Sequence, residues 1–323
     1  MKFYDLFAGI GGFRLGLEQC GHKCVGSCEI DKYARIIYGK HFEEPHLDAT
    51  KLDPKTLPDF DMLTAGFPCQ TFSIAGQRKG FDDTRGTIFF EIARIARECK
   101  PKYLFLENVK DLLNHDKGQT FKIILETMDE LGYDVEWQVL NTKYFLPQNR
   151  ERVFIIGHSR GRSTRKIFPL GQSYEKLEEL QPKAKRNERG ISNKNITALD
   201  SSYYKRHGRG RTLIQIGYIK KNLQGNRVYD ADHLSTTITA EGGGLGAKTG
   251  LYRVEGKPNI YNSQGWLKKD SKIRRLTPLE CERLQGFPDG WTEGISDTQR
   301  YKCVGNAVSV PVVKYIGENI ETN

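Results

Sequence analysis

Short apolar runs alternate with amphipathic stretches through the first half of the chain. "KFYDLF" (2–7) is apolar enough for a buried strand and breaks at Ala8-Gly9, whereas "FRLGLEQCG" (13–21) has helical spacing and stops at Gly21. "KCVGSCE" (23–29) reads as a second strand, "DKYARIIYGKHF" (31–42) as a helix and "FDMLTAG" (60–66) as a third strand. In "TIFFEIARIAREC" (87–99), Ile88, Ile92, Ile95 and Cys99 share one helical stripe that ends before Pro101. "KYLFLEN" (102–108) is a strand, "TFKIILETMDELG" (120–132) a helix closed by Gly132, and "RVFIIG" (152–157) a strand. Such alternation predicts an α/β, Rossmann-like domain with a mainly parallel sheet covered by helices.

After residue 157 the pattern changes. A polar, weakly periodic stretch leads into "LIQIGYIKKNLQGNRVYDADHLSTTITAEGGGLGAKTGLYRV" (213–254), which reads as short strands between Gly-rich loops. Regular structure returns at Thr277, which caps a helix with Pro278 at its first position and Glu280 completing a capping box, through "LECERLQ" to Gly286. "GNAVSVPVVKYIGENI" (305–320) ends in a further helix. The expected organisation is a first domain over 1–160, a small strand-rich insertion over 161–271, and a return to the first domain over 272–323.

Charge sharpens this division. The net charge is +10, but His158 to Arg275 holds 25 Lys and Arg against 10 Asp and Glu, while the remainder holds 25 against 30. A solvated basic face is the ordinary account of a charge run. A block of +15 inside an otherwise slightly acidic chain of 323 residues reads instead as a polyanion footprint, with nucleic acid the expected partner. Seven cysteines and an opening strand at Met1 predict reduced thiols and a cytoplasmic protein, and no apolar run approaches membrane-spanning length. Cys20, Cys24 and Cys28 lack C-x-x-C spacing and an answering histidine pair, so no metal site is expected.

In a sheet of this kind ligands gather at the carboxyl ends of the strands. Those ends carry Asp5 to Gly9, Glu29, Gly66-Phe67-Pro68-Cys69 and Glu107-Asn108. "FAGIGG" supplies Gly9, Gly11 and Gly12, but a dinucleotide fingerprint would need glycine where Arg14 stands. That loop therefore favours close backbone approach without a pyrophosphate. Glu29, at the end of the second strand, suits the ribose hydroxyls of a nucleoside-bearing cofactor, and a methyl donor such as S-adenosylmethionine fits. A lone cysteine after a strand is ordinarily core filling; Cys69 stands instead at a rim crowded with polar groups.

The motifs "DLFAGIGG", "GFPCQ", "ENV", "QNRERV" and "GNAV", in that order, resemble the DNA cytosine-5 methyltransferases across essentially the whole chain. The likeness is greatest to the compact bacterial restriction–modification methylases, including the one that reads GCGC. It implies an S-adenosylmethionine-dependent methyltransferase sheet with an inserted target-recognition domain, acting on a flipped-out cytosine of double-stranded DNA. Cys69 would be the nucleophile that adds to C6, Glu107 the acid at N3, Asn108 a holder of the base, and Arg152 a contact to the base carbonyl and the thiol. Arg150 would join them, a structural ion pair being its other reading. Phe7, Ala8, Gly9, Ile10, Gly11 and Gly12 would line the cofactor site. Glu29 with Ile30, Asp48 with Ala49, and Gly66 with Pro68 would complete it. Asp48 follows Leu47 where the family more often has glycine. Asn306 would close the pocket. For DNA, Gln70 and Ser73 lie in the polar stretch after the nucleophile, a mobile loop by resemblance; Gln224, Arg227, Tyr229, Thr237, Gly243 and Gly244 would belong to the recognition domain. Arg227 would read guanine, or alternatively touch phosphate, while Gln224 would fill the gap left by the flipped base.

The implied cofactor is S-adenosylmethionine, released as S-adenosylhomocysteine, with no metal. A monomer is expected, with a separate cognate restriction endonuclease as an implied companion. Three rivals stand beside this reading. An RNA cytosine methyltransferase would ordinarily carry a second cysteine where this chain has Glu107-Asn108-Val109, although the transfer-RNA branch of the present family keeps these motifs. A catalytically silent nucleic-acid binder would not need Cys69, Glu107 and Arg152 intact, and a dinucleotide oxidoreductase fails at Arg14.

Overall fold

Four parallel strands form one side of the central sheet: β1 (Lys2–Leu6), β2 (Lys23–Cys28), β3 (Met62–Gly66) and β4 (Tyr103–Val109). β6 (Glu151–Ser159) then runs antiparallel to β4, and β5 (Tyr133–Asn141) antiparallel to β6, giving the order β2-β1-β3-β4-β6-β5. The computed structural model describes residues 1–68, 88–162, 164–170, 215–218, 227–230, 235–238, 250–255 and 272–320. The mainly parallel sheet is as expected, with β6 alone reversed.

Helices cover both faces because strand side chains alternate between them. α1 (Gly12–Glu18), α2 (Lys32–His41), α3 (Ile88–Cys99) and α4 (Gln119–Glu130) fall where the periodicity puts them. Phe89, Ile92 and Ile95 of α3 and Ile124 and Met128 of α4 pack on Leu6, Leu63 and Leu104. On the other face, Phe13 and Leu17 of α1 meet Phe3, Phe105 and Phe154 together with Val312, Val313 and Ile316 of the last helix. Each such side chain, fully buried, contributes ~1.5–3 kcal/mol. The C-terminal segment is therefore part of the first domain's core.

Two elements escaped the pattern. β5 is an edge strand whose Glu136 and Gln138 face the polypeptide rather than water: Glu136 accepts from the amides of Ile167 (2.7 Å) and Phe168 (3.0 Å), and Gln138 from that of Leu170 (2.8 Å). Tyr133, Val135, Trp137 and Val139 alternate with these polar residues, the period of a half-buried strand. Beyond α5 (Pro278–Gln285), α6 (Asp297–Asn306) buries only Cys303, Val304 and Gly305. The capping box of α5 forms as expected: Thr277 Oγ1 accepts from the Glu280 amide and Glu280 accepts from the Thr277 amide, with left-handed Gly286 ending the helix. α7 (Val310–Gly317) closes the described chain.

A second sheet is formed by β7 (Gln215–Tyr218), β8 (Arg227–Asp230), β9 (Leu251–Glu255) and β10 (Lys272–Arg275), in the order β10-β9-β8-β7. Residues 167–170 hydrogen-bond to β5, and Lys272–Arg275 pairs with β9. No helix among the described residues is long and apolar enough to cross a membrane.

Candidate active site

Parallel β1, β2, β3 and β4 bring their carboxyl ends to one rim, and the reversal of β6 adds its first residues to that rim. Arg152 thus lies opposite Val109 of β4, in the register that sets Phe154 opposite Glu107. Residues far apart in sequence meet for this topological reason.

The loop after β1 is tightly wound. Phe7 has φ 58°, a left-handed value that costs a non-glycine residue ~1–3 kcal/mol, and Gly9 (57°) and Gly11 (88°) share that region. This turn aims the Gly9 amide at Glu29, whose Oε2 accepts it at 2.7 Å while Oε1 accepts the Asp31 amide, also at 2.7 Å. Both oxygens of a carboxylate 8% exposed are thereby fixed in direction. Burial pushes Glu29 above the ordinary carboxylate range, and the two amides pull it back. Among the described residues, its chain neighbours aside, no atom lies within 4 Å of a Cβ built on Gly9, whereas one on Gly12 would meet Val308 Cγ1 at 2.8 Å. Ile10 is buried with Phe287, Trp291 and Ala307, and its carbonyl accepts from Trp291 Nε1 at 2.9 Å. Ile30, next to Glu29, is 66% exposed. Open space over Gly9, an oriented acceptor and an exposed apolar side chain suit a nucleoside.

The 46–49 segment runs beside this corner, since His46 accepts from the Glu29 amide at 2.8 Å. Asp48 turns its Oδ1 to the amide (3.0 Å) and hydroxyl (2.7 Å) of Thr50, capping a short 3-10 turn, and the Ala49 carbonyl is held by Arg94 Nη2 at 2.8 Å. Buried Ala8 donates its amide to Cys28. Asn306 is exposed at the end of α6.

At the neighbouring strand ends, Glu107 is buried and Arg152 Nε stands 3.2 Å from its Oε1. Burial raises Glu107 above the ordinary carboxylate range, and the charges of Arg152 and Arg150 offset part of that rise. A Cβ on Gly66 would come 3.4 Å from Glu107 Oε2, so glycine at the end of β3 leaves the carboxylate room. Asn108 Nδ2 donates to the Phe67 carbonyl at 2.6 Å and its Oδ1 accepts from the Val109 amide at 2.8 Å. Asn108 therefore ties β4 to the segment that leads through exposed Pro68 to Cys69. Cys69, Gln70 and Ser73 lie outside the described residues, as do Gln224, Gly243 and Gly244.

Arg150 sits fully buried just before β6. Its Nη1 donates to the Ile238 carbonyl (3.1 Å) and its Nη2 to those of Gly305 (3.1 Å) and Ala307 (2.9 Å). These are carbonyls, not the carboxylates of an ordinary ion pair. Arg227 opens strand β8 rather than lying in a loop, because "RVYD" has the alternation of a short strand. Tyr229 is buried against Tyr252, and burial raises its phenol above the usual range while the nearby Arg227 draws it back. Thr237 donates its hydroxyl to the Asn149 carbonyl at 2.6 Å.

Sequence reasoning missed Asp31 and Lys302. The Asp31 amide fixes Glu29, its Oδ1 caps α2 through the amides of Tyr33 and Ala34, and its Oδ2 pairs with Lys302 Nζ of α6 at 2.7 Å. The cap was legible at the head of "DKYAR"; the Lys302 pairing, 271 positions away, was not. Among the described residues no group of three or more His, Cys, Asp or Glu is placed to hold a metal.

A buried carboxyl whose proton affinity is raised by burial, beside a guanidinium and a strand end leading to a thiol, can protonate one atom of a bound ring while another is attacked. Residues 1–322 match the family of C-5 cytosine-specific DNA methylases. The chain is 41% identical to the type II methyltransferase M.HhaI of Haemophilus parahaemolyticus, covering 99% of this chain and 94% of that one. It is 38% identical to the type II methyltransferase M.HpaII of Haemophilus parainfluenzae, covering 98% and 88%. The fold resembles that of the Dnmt2 methyltransferase of S. pombe, with TM-score 0.66 at 18% identity over 98% of this chain and 96% of that one. The chain belongs to the C-5 cytosine-specific DNA methylases and is a DNA cytosine-5 methyltransferase.

Proposed function

We propose that the protein methylates C5 of a cytosine flipped out of a short specific sequence in double-stranded DNA, through a covalent bond between Cys69 and C6. The observation that carries this reading is the buried Glu107–Arg152 pair beside the strand end that leads to Cys69. C5 and C6 lie inside the base stack, so the target has to leave the duplex to reach a pocket at the rim. S-Adenosylmethionine, when bound, supplies an electrophilic methyl group and departs as S-adenosylhomocysteine. Glu29 holds the ribose hydroxyls with its two oriented oxygens, and the Gly9–Gly11 turn admits the amino-acid end.

The Cys69 thiolate adds to C6 while Glu107 gives its proton to N3, which loads electron density onto C5. Arg152 steadies Glu107 and contacts the base carbonyl. Once C5 carries the methyl group, a water molecule takes the C5 proton, the electron pair of that bond forms the C5–C6 double bond and expels the thiolate, and the N3 proton returns to Glu107. The basic insertion supplies phosphate contacts, and Arg227 reads a guanine edge.

DNA from cells expressing the protein, mapped by bisulfite sequencing, should show one sequence context methylated at cytosine. Duplexes carrying fluorine at the target C5 should become trapped on Cys69, because no C5 proton remains to leave. An adduct on another cysteine, or none, overturns the covalent assignment. Cys69→Ala should keep S-adenosylhomocysteine and DNA binding and lose methylation. Methylation of transfer RNA but not DNA would move the chain to the RNA-acting branch.

A further inference from the structure

We infer that Arg150 is a positioning residue: its guanidinium locks the inserted segment to the catalytic rim and so fixes where DNA sequence is read relative to where the methyl group is placed. This rests on the DNA-methylating reading above. The three carbonyls that Arg150 grips come from two separate segments, Ile238 in the insertion and Gly305 and Ala307 in the returning chain. The strand start and the insertion are also laced through their backbones. Asn149 donates its amide to the Ser235 carbonyl (2.9 Å), and Ser235 donates its own to the Pro147 carbonyl (2.8 Å). Ile238, 0% exposed, packs with Ile10 of the glycine loop and with Val304 and Ala307. Residue 238 is thus seated in the first domain's core, and the sequence "TAEGGGLG" (239–246) leaves from that seat.

Arginine suits the position for a geometric reason. A planar guanidinium carries its N–H donors on separate nitrogens, so Nη1 serves Ile238 while Nη2 serves Gly305 and Ala307, whereas the donors of an ammonium all start from one atom. Among the described residues Arg150 meets no carboxylate within ion-pair distance and its Nε has no hydrogen-bond partner, so the buried charge is offset by carbonyl dipoles and by the nearby Glu107. Buried ionic groups of this kind contribute little net stability, and their best-attested use is to set register. Two residues further on, Arg152 stands 3.2 Å from Glu107. One strand start therefore holds the seat of the insertion by its first arginine and the catalytic carboxyl by its second. Gly305 and Ala307 flank Asn306, so the same guanidinium also fixes the edge of the cofactor site.

The test compares Arg150→Lys, Arg150→Met and Gln285→Leu with the wild-type chain on a duplex library randomised about a central cytosine, read by bisulfite sequencing. Gln285 Nε2 holds the Val304 and Ala307 carbonyls (3.0 and 3.3 Å) but not Ile238, so its loss loosens the returning segment without unseating the insertion. Both Arg150 variants should lose about tenfold or more of the preference for the best sequence over the next, the scale of one bidentate base contact. Gln285→Leu should keep that preference within about threefold. Restoration by lysine would reduce Arg150 to a charge, and equal blurring by Gln285→Leu would reduce it to general packing; either overturns the proposal. Native-state hydrogen exchange of the wild-type protein needs neither folding of a variant nor activity: the amides of Asn149, Ser235 and Ala307 should open with one common free energy, and independent opening overturns the coupling. A wild-type chain without any sequence preference would instead strike at the proposed function.

Discussion

Replacing Glu29 by glutamine keeps the shape of the side chain and changes one oxygen to NH2. In the structure both oxygens already accept backbone amides at 2.7 Å, from Gly9 and from Asp31. Whichever way the new amide turns, a donor faces a donor. The free protein should lose roughly 1–3 kcal/mol of stability from the unsatisfied buried amide. The cofactor loses one charge-assisted hydrogen bond to the ribose, worth roughly 1.5–3 kcal/mol, or about 10- to 150-fold in affinity. Calorimetric titration with S-adenosylhomocysteine measures this without turnover. The 2′-deoxyribose analogue makes the assignment specific: it should bind the wild-type chain more weakly, yet lose little further on Glu29→Gln, because both changes remove the same contact. Losses that simply add, or a Glu29→Gln affinity within about threefold of wild type, would refute the ribose role.

Glu107→Gln should lower single-turnover methylation by ~10²–10⁴-fold while leaving S-adenosylhomocysteine affinity near wild type, since the amide has no proton to give. Because burial raises Glu107, the wild-type rate should fall as pH rises through that elevated value; a rate still rising there would remove Glu107 as the acid. Asp5 is 0% exposed, accepts from Thr64 Oγ1 at 2.8 Å, leaves Oδ2 without a partner and is pushed up to about 7 by burial. Its folded value lies above the unfolded one near ~3.9, so the stability it contributes is complete below about 4 and is lost as pH rises through about 7, on the order of 4 kcal/mol. Urea unfolding at a series of pH values should show that slope in the wild type and a flatter one in Asp5→Asn; identical slopes would refute it.

The first domain was legible wherever burial imposed an apolar period. β1 to β4, β6 and the four helices of the first half all pack an uninterrupted stripe into the core. β5 was the exception: Tyr133, Val135, Trp137 and Val139 alternate with polar residues in the period of a half-buried strand, yet no strand was expected there, and the role of Glu136 and Gln138 on the amides of residues 167, 168 and 170 left no local signal. α6 was missed because only Cys303, Val304 and Gly305 of its ten residues are buried. At the site, the glycine turn and Glu29 were readable because chain-local constraints produce them. Asp48 and Asn108 show the limit, since their residue types were clear and their first partners, Thr50 and the Phe67 carbonyl, were not.

The pair Arg150 and Arg152 gives that limit a physical cause. Arg150 stands just before β6 and Arg152 within it, and the charges of both bear on Glu107. Spacing says nothing of which strand runs backwards. Had β6 been parallel to β4, its first residues would stand at the opposite edge of the sheet, far from Glu107 and from Asn108. The single reversal between β4 and β6 converts a strand beginning into part of a carboxyl-end rim. It also brings the loop before β6 against residues 235–238, so that one short stretch, Gln148 to Arg152, meets residues 235–238, the returning chain and the Glu107 carboxyl. Such a junction requires donors that reach in several directions from a buried position, and two arginines supply them where lysines would each offer a point charge.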